Sequence, residues 1–141
     1  MRDCVGLDTN VLARYFVEDD ADAVTQKQRE AARRLIESGR PLAVAKTVLL
    51  EFEWVLRGHY ELERRDVGAA MLHLLALPQV RIEDSERVSA AVDMLLDGFD
   101  FADALHHVSY RDCESVATFD DRRFARRAQA RALVPRIYIP V

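Results

Sequence analysis

Four acidic residues occupy positions where they could act together in catalysis. Asp8 directly follows a short apolar run, and Asp120 lies two residues beyond another. Glu51 lies in an apolar stretch that follows a third run, and Asp103 opens a segment with helical periodicity. If these runs are strands of one parallel sheet, all four acids start from its carboxyl edge. Ligand sites of open α/β sheets collect at that edge.

The chemistry expected of such a cluster is metal-dependent hydrolysis. Carboxylates held close together repel one another unless a cation binds them. Their hard oxygen atoms suit Mg²⁺, with Mn²⁺ as an alternative, and these ions bridge to substrate phosphates. One or two such ions can activate water and stabilise the leaving oxygen of a phosphodiester. The four acids therefore predict hydrolysis by metal-activated water without a covalent intermediate, and they leave the number of metals open.

Single acids also have a structural interpretation as helix caps. Asp8 could cap the helix that follows it, because helix starts favour acids. Asp100 and Asp103 fit a variant of the capping box. Glu51 is harder to explain in this way, since an acid in so apolar a stretch is costly unless it is paired or bound. The joint placement of the acids therefore favours a site over unrelated caps.

Short apolar runs alternate with helical patterns along the whole chain. The predicted strands are 4–7, 42–45, 80–82 and 115–118, with an edge strand at 134–140. The predicted helices follow Asp8 and lie at 22–38, 48–57, 85–96, 100–111 and 122–131, and the segment 61–77 is predicted to form one or two more. Thr47 is a plausible N-cap for the helix 48–57, and Leu72, Leu75 and Ala76 form an apolar stripe in 61–77. This alternation predicts an α/β fold with a parallel sheet covered on both faces.

Composition is that of an ordinary globular protein. The 141 residues are enough for one domain, 1–141, with its own core. Half of the residues are hydrophobic and 31% are charged, with a net charge of −4. No apolar run reaches membrane-spanning length, and the N-terminus lacks a signal peptide, so we expect a cytoplasmic protein without a membrane partner. Two cysteines without a CxxC motif argue against a structural zinc site.

Four ordered motifs resemble those of the PIN domain family. They are Leu7–Leu12, Leu50–Leu56, Phe101–His106 and Ala117–Asp120. Within that family the chain looks most like VapC toxins of bacterial toxin–antitoxin pairs, and the resemblance covers essentially the whole chain. It implies a three-layer α/β/α sandwich with a short central parallel sheet of about four to five strands. It also implies a Mg²⁺- or Mn²⁺-dependent endoribonuclease and a homodimer. A cognate VapB-type antitoxin would inhibit it in a heterotetramer or larger complex.

The resemblance assigns roles to individual residues. The four acids become both the metal ligands and the catalytic residues: Asp8, Glu51, Asp103 and Asp120. Thr9 or Asn10 corresponds to the family's polar residue after the first acid and would orient the site, and Thr118 matches a hydroxyl position near the fourth acid. Two neighbours of the assigned acids, Asp100 and Asp121, are further supporting residues that could share in metal binding.

An RNA substrate also needs positive charge. Arg122 and Arg123 open a basic segment beside Asp120, so we expect them to contact RNA phosphates. A solvated helical face is the commoner meaning of such a run.

Residues near the acids have weaker assignments. Glu53 should face away from the site, because two residues along a helix rotate by about 200° from Glu51. His107 follows Asp103 by one turn, and we interpret it as a structural or outer-shell residue. Arg14 could pair with an acid of the cluster.

Three alternatives remain open. A non-toxin PIN nuclease in RNA processing would share every motif. A phosphotransfer receiver or a phosphatase of the haloacid-dehalogenase type would also place an acid at Asp8, but the latter needs a second acid where this chain has Asn10, and neither predicts Glu51. A non-catalytic binding module would keep the fold without needing the four carboxylates.

Overall fold

The three-dimensional structure is a computed structural model that describes residues 3–18, 22–120 and 124–141. It divides into two units, Met1–Ser85 and Glu86–Val141. The first unit contains, in chain order, β1 (Val5–Gly6), α1 (Thr9–Phe16), α2 (Ala23–Ile36), β2 (Leu42–Val44), α3 (Lys46–Trp54), a π-helical turn (Val55–His59), α4 (Arg64–Ala76) and β3 (Val80–Ile82). The elements that follow are α5 (Ser85–Leu96), α6 (Phe101–Ser109), β4 (Ser115–Ala117), α7 (Arg126–Ala130) and β5 (Arg136–Tyr138).

The first unit contains a three-stranded parallel sheet in the order β1-β2-β3. Leu42 on β2 pairs in register with Val5 on β1 and with Val80 on β3. Because β2 is the middle strand, its Leu42 and Val44 are almost completely buried, each 1% exposed. The α/β class expected from the alternating pattern is therefore confirmed.

The expected central sheet of four to five strands is wrong in strand number. In the described part of the chain, β4 and β5 form a separate parallel pair, with Val116 opposite Ile137. Each of these strands has three residues, so a strand pair is held by very few ladder hydrogen bonds. Sequence pattern identifies such short strands but contains little information on which strands pair.

Two helices differ in detail from their predictions. Helix α3 begins at Lys46 with Ala45 as its N-cap and no side-chain cap, so Thr47 lies inside the helix rather than capping it. On α4 the predicted apolar stripe is wrong, because Leu72 is 43% exposed. The buried face of α4 is formed by other residues at helical spacing, which are Val67, Gly68, Met71 and Leu74.

The second unit places a histidine in its core. His107 on α6 is 3% exposed, and its Nε2 lies 2.7 Å from the backbone oxygen of Pro135. Its ring also contacts Phe124, with centroids 5.8 Å apart. Because a buried ring nitrogen needs a hydrogen-bond partner, this contact ties α6 to the segment that enters β5. The geometry supports the structural interpretation of His107.

The described residues include no helix with the length and apolarity needed to cross a membrane.

Candidate active site

The turn from β1 into α1 holds two acids through one threonine. Asp8 is the N-cap of α1, and its Oδ1 accepts a hydrogen bond from the backbone N–H of Thr9 at 2.8 Å. The Thr9 hydroxyl donates a hydrogen bond to Oε1 of Glu51 on α3. Thr9 is 6% exposed, whereas both acids are exposed. A buried threonine therefore fixes two exposed carboxylates that are far apart in the chain.

These two acids line one cavity of about 320 Å³. The other residues that line it are Thr9, Asn10, Ala13, Arg14, Val55, His59 and Tyr60. Because β1 and β2 are parallel neighbours, Asp8 and the start of α3 come from the same carboxyl edge of the sheet. The first two predicted acids thus share the location expected of a ligand site in an α/β protein.

Glu51 and its neighbour Glu53 have opposite environments. Glu51 was expected to be the costly acid in an apolar stretch, but its side chain is exposed at the cavity. Glu53 is the buried acid, 2% exposed, and its Oε2 lies 2.8 Å from Nε of Arg57 one turn later. The acid that is buried in the apolar stretch is therefore Glu53, and its ion pair with Arg57 has a structural role. The prediction that Glu53 faces away from Glu51 agrees with this geometry.

The other two acids lie in the second unit. Asp103 on α6 is half-buried and lines a cavity of about 280 Å³ together with His106, Tyr110 and Thr118. The Thr118 hydroxyl accepts a hydrogen bond from the backbone N–H of Asp120 at 3.0 Å. Thr118 is therefore in contact with the segment that holds the fourth predicted acid.

Asp100 has a structural role at the start of α6. It is the N-cap of that helix, and its Oδ1 accepts a hydrogen bond from the backbone N–H of Asp103 at 3.0 Å. The capping interpretation of Asp100 is therefore confirmed. By fixing the first turn, this cap also fixes the position of the Asp103 backbone.

The predicted site residues are thus divided between the two units. Asp8 and Glu51 follow strands of the same sheet, as expected for all four acids. Asp103 and Asp120 flank β4, which belongs to a different strand pair, so a shared sheet edge does not explain their placement. In residues 3–18, 22–120 and 124–141, no group of three or more His, Cys, Asp or Glu side chains is arranged to hold a metal ion. Asp121, Arg122 and Arg123 lie outside the described residues.

The donor set in the first cavity nevertheless suits Mg²⁺. This ion is usually held by one or two carboxylates together with water and substrate phosphates, and it does not require a complete protein cage. Asp8 and Glu51 supply two carboxylates with hard oxygen atoms on one cavity wall. Each carboxylate accepts its hydrogen bond from Thr9 on one oxygen, which leaves a second oxygen for a ligand.

The cavity also contains the arginine side chain of Arg14, whose hydrogen-bond partners differ from those expected from the sequence. Arg14 does not pair with Asp8, Glu51 or any other acid in the described part of the chain. Its guanidinium donates hydrogen bonds to Gln28 Oε1 at 2.9 Å and to the Tyr60 hydroxyl at 3.0 Å. Tyr60 immediately follows a π-helical turn, and helical periodicity gives no signal for that geometry.

Fold and site together define an α/β protein with acids at the carboxyl edge of a parallel sheet. The family model of the PIN domain matches residues 5–130, a range that includes all four predicted acids. The chain belongs to the PIN domain family. PIN domains are generally nucleases, and they generally use divalent metals, so membership favours a nuclease over the receiver and phosphatase alternatives. No curated protein and no solved structure matches the chain.

Proposed function

We propose that this protein is a Mg²⁺- or Mn²⁺-dependent endoribonuclease that acts as the VapC-type toxin of a type II toxin–antitoxin pair. The observation that carries the proposal is the connection of Asp8 and Glu51 through Thr9 within one cavity of a PIN domain. The helix cap accounts for Asp8 alone, whereas a non-catalytic module gives no reason for Thr9 to bring the exposed Glu51 of α3 to the same cavity.

The proposed metal ligands and catalytic residues are Asp8, Glu51, Asp103 and Asp120. Thr9 would orient the first two through its backbone N–H and its hydroxyl. Asn10 would line the same cavity. Thr118 would support Asp120 through the hydrogen bond to its backbone.

The cation and the protein would divide the chemistry between them. When bound, the divalent ion would supply a Lewis acid for the hydrolysis of a phosphodiester by water. The protein supplies fixed carboxylates, and Thr9 limits their freedom before substrate arrives. Preorganised groups of this kind avoid reorganisation during the reaction. Arg122 and Arg123 would add phosphate contacts beside Asp120.

An RNA cleavage assay tests the nuclease proposal. The purified protein, free of any partner, is incubated with RNA in Mg²⁺, Mn²⁺ or EDTA, beside Asp8→Asn and Asp103→Asn. Asparagine caps helices as well as aspartate does, so Asp8→Asn should keep the start of α1. We expect cleavage in both metals, none in EDTA, and a loss of at least about 100-fold in each variant, the scale of removing one preorganised electrostatic contact.

A matched control separates the site from a general charge effect. Asp93→Asn removes an exposed acid of α5 by the same chemical change and should cleave like the wild type. Cleavage that survives EDTA, or that survives both site substitutions, would contradict the mechanism.

The toxin role has its own test. Expression of the chain in bacteria should stop growth, and co-expression of a small neighbouring gene product of VapB type should restore it. Light scattering should then detect a homodimer of the chain alone and a heterotetramer or larger complex with the partner. RNA cleavage without growth arrest would instead favour a PIN nuclease in RNA processing.

A further inference from the structure

Arg14 lies at the junction of two cavities in the first unit. It lines the cavity of Asp8 and Glu51. It also lines a neighbouring cavity of about 300 Å³ between α1 and α2, and Asn10 is likewise shared by both. The remaining residues of the second cavity are Val11, Gln28, Ala31, Ala32 and Leu35. A ligand that passes from one cavity to the other would therefore pass Arg14.

The guanidinium of Arg14 is held by neutral groups. Its Nε donates to Gln28 Oε1 and its Nη1 donates to the Tyr60 hydroxyl. Both acceptors orient the plane of the group without neutralising its charge. An arginine has five N–H donors, so these two contacts, the ones that the described residues supply, leave three N–H groups for a ligand.

No described carboxylate forms an ion pair with Arg14, although the cavity contains two acids. Asp22 is within electrostatic reach, and Arg14 contributes slightly to lowering the pKa of Asp22, whose main cause is the hydrogen bond from the Thr25 backbone. Asp22 itself caps α2 through that bond at 2.9 Å. A half-buried guanidinium that is oriented by neutral acceptors, and that forms no ion pair within the described residues, is suited to a phosphate, which accepts its hydrogen bonds in a bidentate geometry.

We propose that Arg14, oriented by Gln28 and Tyr60, binds a backbone phosphate of the RNA next to the scissile phosphodiester. The proposal rests on the proposed nuclease function. The scissile group would lie at Asp8 and Glu51, and the flanking phosphate would lie where the two cavities meet. Arg14 is then a substrate-binding residue, and Tyr60 is a positioning residue that acts through it.

The salt dependence of RNA binding tests this interaction. Anisotropy of a labelled single-stranded RNA is measured against KCl concentration, with Ca²⁺ in place of Mg²⁺. Removing one phosphate interaction with a single strand should reduce the slope of log Kd against log salt by about 0.7. We expect Arg14→Gln to show this reduction and to raise Kd about tenfold or more at low salt.

Three further variants make the result specific. Arg14→Lys keeps the charge and should retain the wild-type slope. Tyr60→Phe should raise KM for RNA cleavage about fivefold with kcat unchanged, the scale of one hydrogen bond. Arg34→Gln removes an exposed arginine of α2 outside both cavities and should behave as the wild type. Circular dichroism establishes that each variant is folded.

The outcomes separate this inference from the function on which it rests. If the wild type binds and cleaves RNA but folded Arg14→Gln keeps the wild-type slope, the phosphate interaction is refuted. It is refuted equally if Arg14→Gln weakens only the binding of an acidic protein partner. If the wild type binds no RNA, the proposed function fails and the role of Arg14 fails with it.

Discussion

Two glutamates on one helix provide a sharp test of how α3 separates function from stability. Glu51 and Glu53 lie two residues apart on α3, yet one is exposed at the cavity and the other is buried. We expect Glu51→Gln to abolish cleavage without affecting stability, and Glu53→Gln to reduce stability without a direct effect on chemistry. The two substitutions are chemically identical, so each serves as the control for the other.

The magnitudes follow from the exposure of each pair. The Glu53 side chain is 3% exposed, but that of its partner Arg57 is 51% exposed. Breaking a fully buried pair costs about 3–5 kcal/mol, and an exposed pair is worth about 0–1 kcal/mol, so we expect about 1–2 kcal/mol for Glu53→Gln. Glu51→Gln is a surface change that keeps an acceptor for Thr9, and it should stay within about 0.5 kcal/mol.

Urea unfolding and single-turnover cleavage measure the two effects. Trp54 is the only tryptophan of the chain and lies on α3, so its fluorescence reports on this helix beside far-UV circular dichroism. With a slope of about 2 kcal/mol per molar urea, Glu53→Gln should lower the midpoint by about 0.5–1 M. Glu51→Gln should keep the midpoint and lose at least about 100-fold in cleavage rate.

Either reversal would refute this division of roles. Equal midpoints for Glu53→Gln and the wild type would mean that the ion pair with Arg57 contributes nothing. A Glu51→Gln variant that cleaves RNA at the wild-type rate would remove Glu51 from the proposed site.

Two further predictions concern the second unit, with one control in the first. Gly98 has φ +105°, and a Cβ there would lie 2.8 Å from Nη1 of Arg127. Gly98→Ala should therefore lower stability by about 1–2 kcal/mol in thermal unfolding, because L-residues are strained at positive φ. At Gly58 a Cβ would have no neighbouring atom closer than 4.0 Å, so Gly58→Ala should leave stability nearly unchanged. Equal losses of stability in the two variants would contradict the explanation. The hydrogen bond from Arg131 lowers the pKa of Asp97 below its ordinary value of 3.8. The folded form therefore gains stability from this group above pH 3.8 and loses it as pH falls through the lower folded pKa. Urea titrations at neutral pH should give Asp97→Asn a lower free energy of unfolding than the wild type, and this difference should disappear in acid. A difference in unfolding free energy that does not depend on pH would exclude this linkage.

Local pattern was sufficient for most elements and for some of their boundaries. The apolar run at 42–44 forms a strand because consecutive apolar residues suit a buried position in a sheet. The segment 80–82 forms a strand because Val80 and Ile82, on either side of the exposed Arg81, lie on one buried face. Asp8 and Asp100 cap their helices as the sequence predicts, and Asp22 caps α2 in the same way, since a short acidic side chain reaches the nearby backbone N–H groups. These interactions span at most three residues, so they can be predicted from neighbouring positions.

Helix phase was harder to predict. On α4, Leu72 was assigned to the buried face but lies at the surface, while Met71 beside it is buried. One residue corresponds to about 100° of rotation, so an error of one residue in phase is enough to move a side chain from the buried face to the surface. On α3, hydrophobicity of the whole segment could not indicate which of two nearby glutamates would be buried.

The sequence by itself determined the α/β class, the capping acids and the position of Asp8 at the end of a strand, because these depend on contacts between near neighbours. Only the tertiary structure decided that β4 pairs with β5, that Thr9 reaches Glu51 across 42 positions, and that Arg14 reaches Tyr60 across 46. Such contacts depend on how distant segments pack, and residue periodicity contains no information on that packing. The candidate site is built from both kinds of contact: the strand end presents Asp8, and the packing of α3 against α1 brings Glu51 to it.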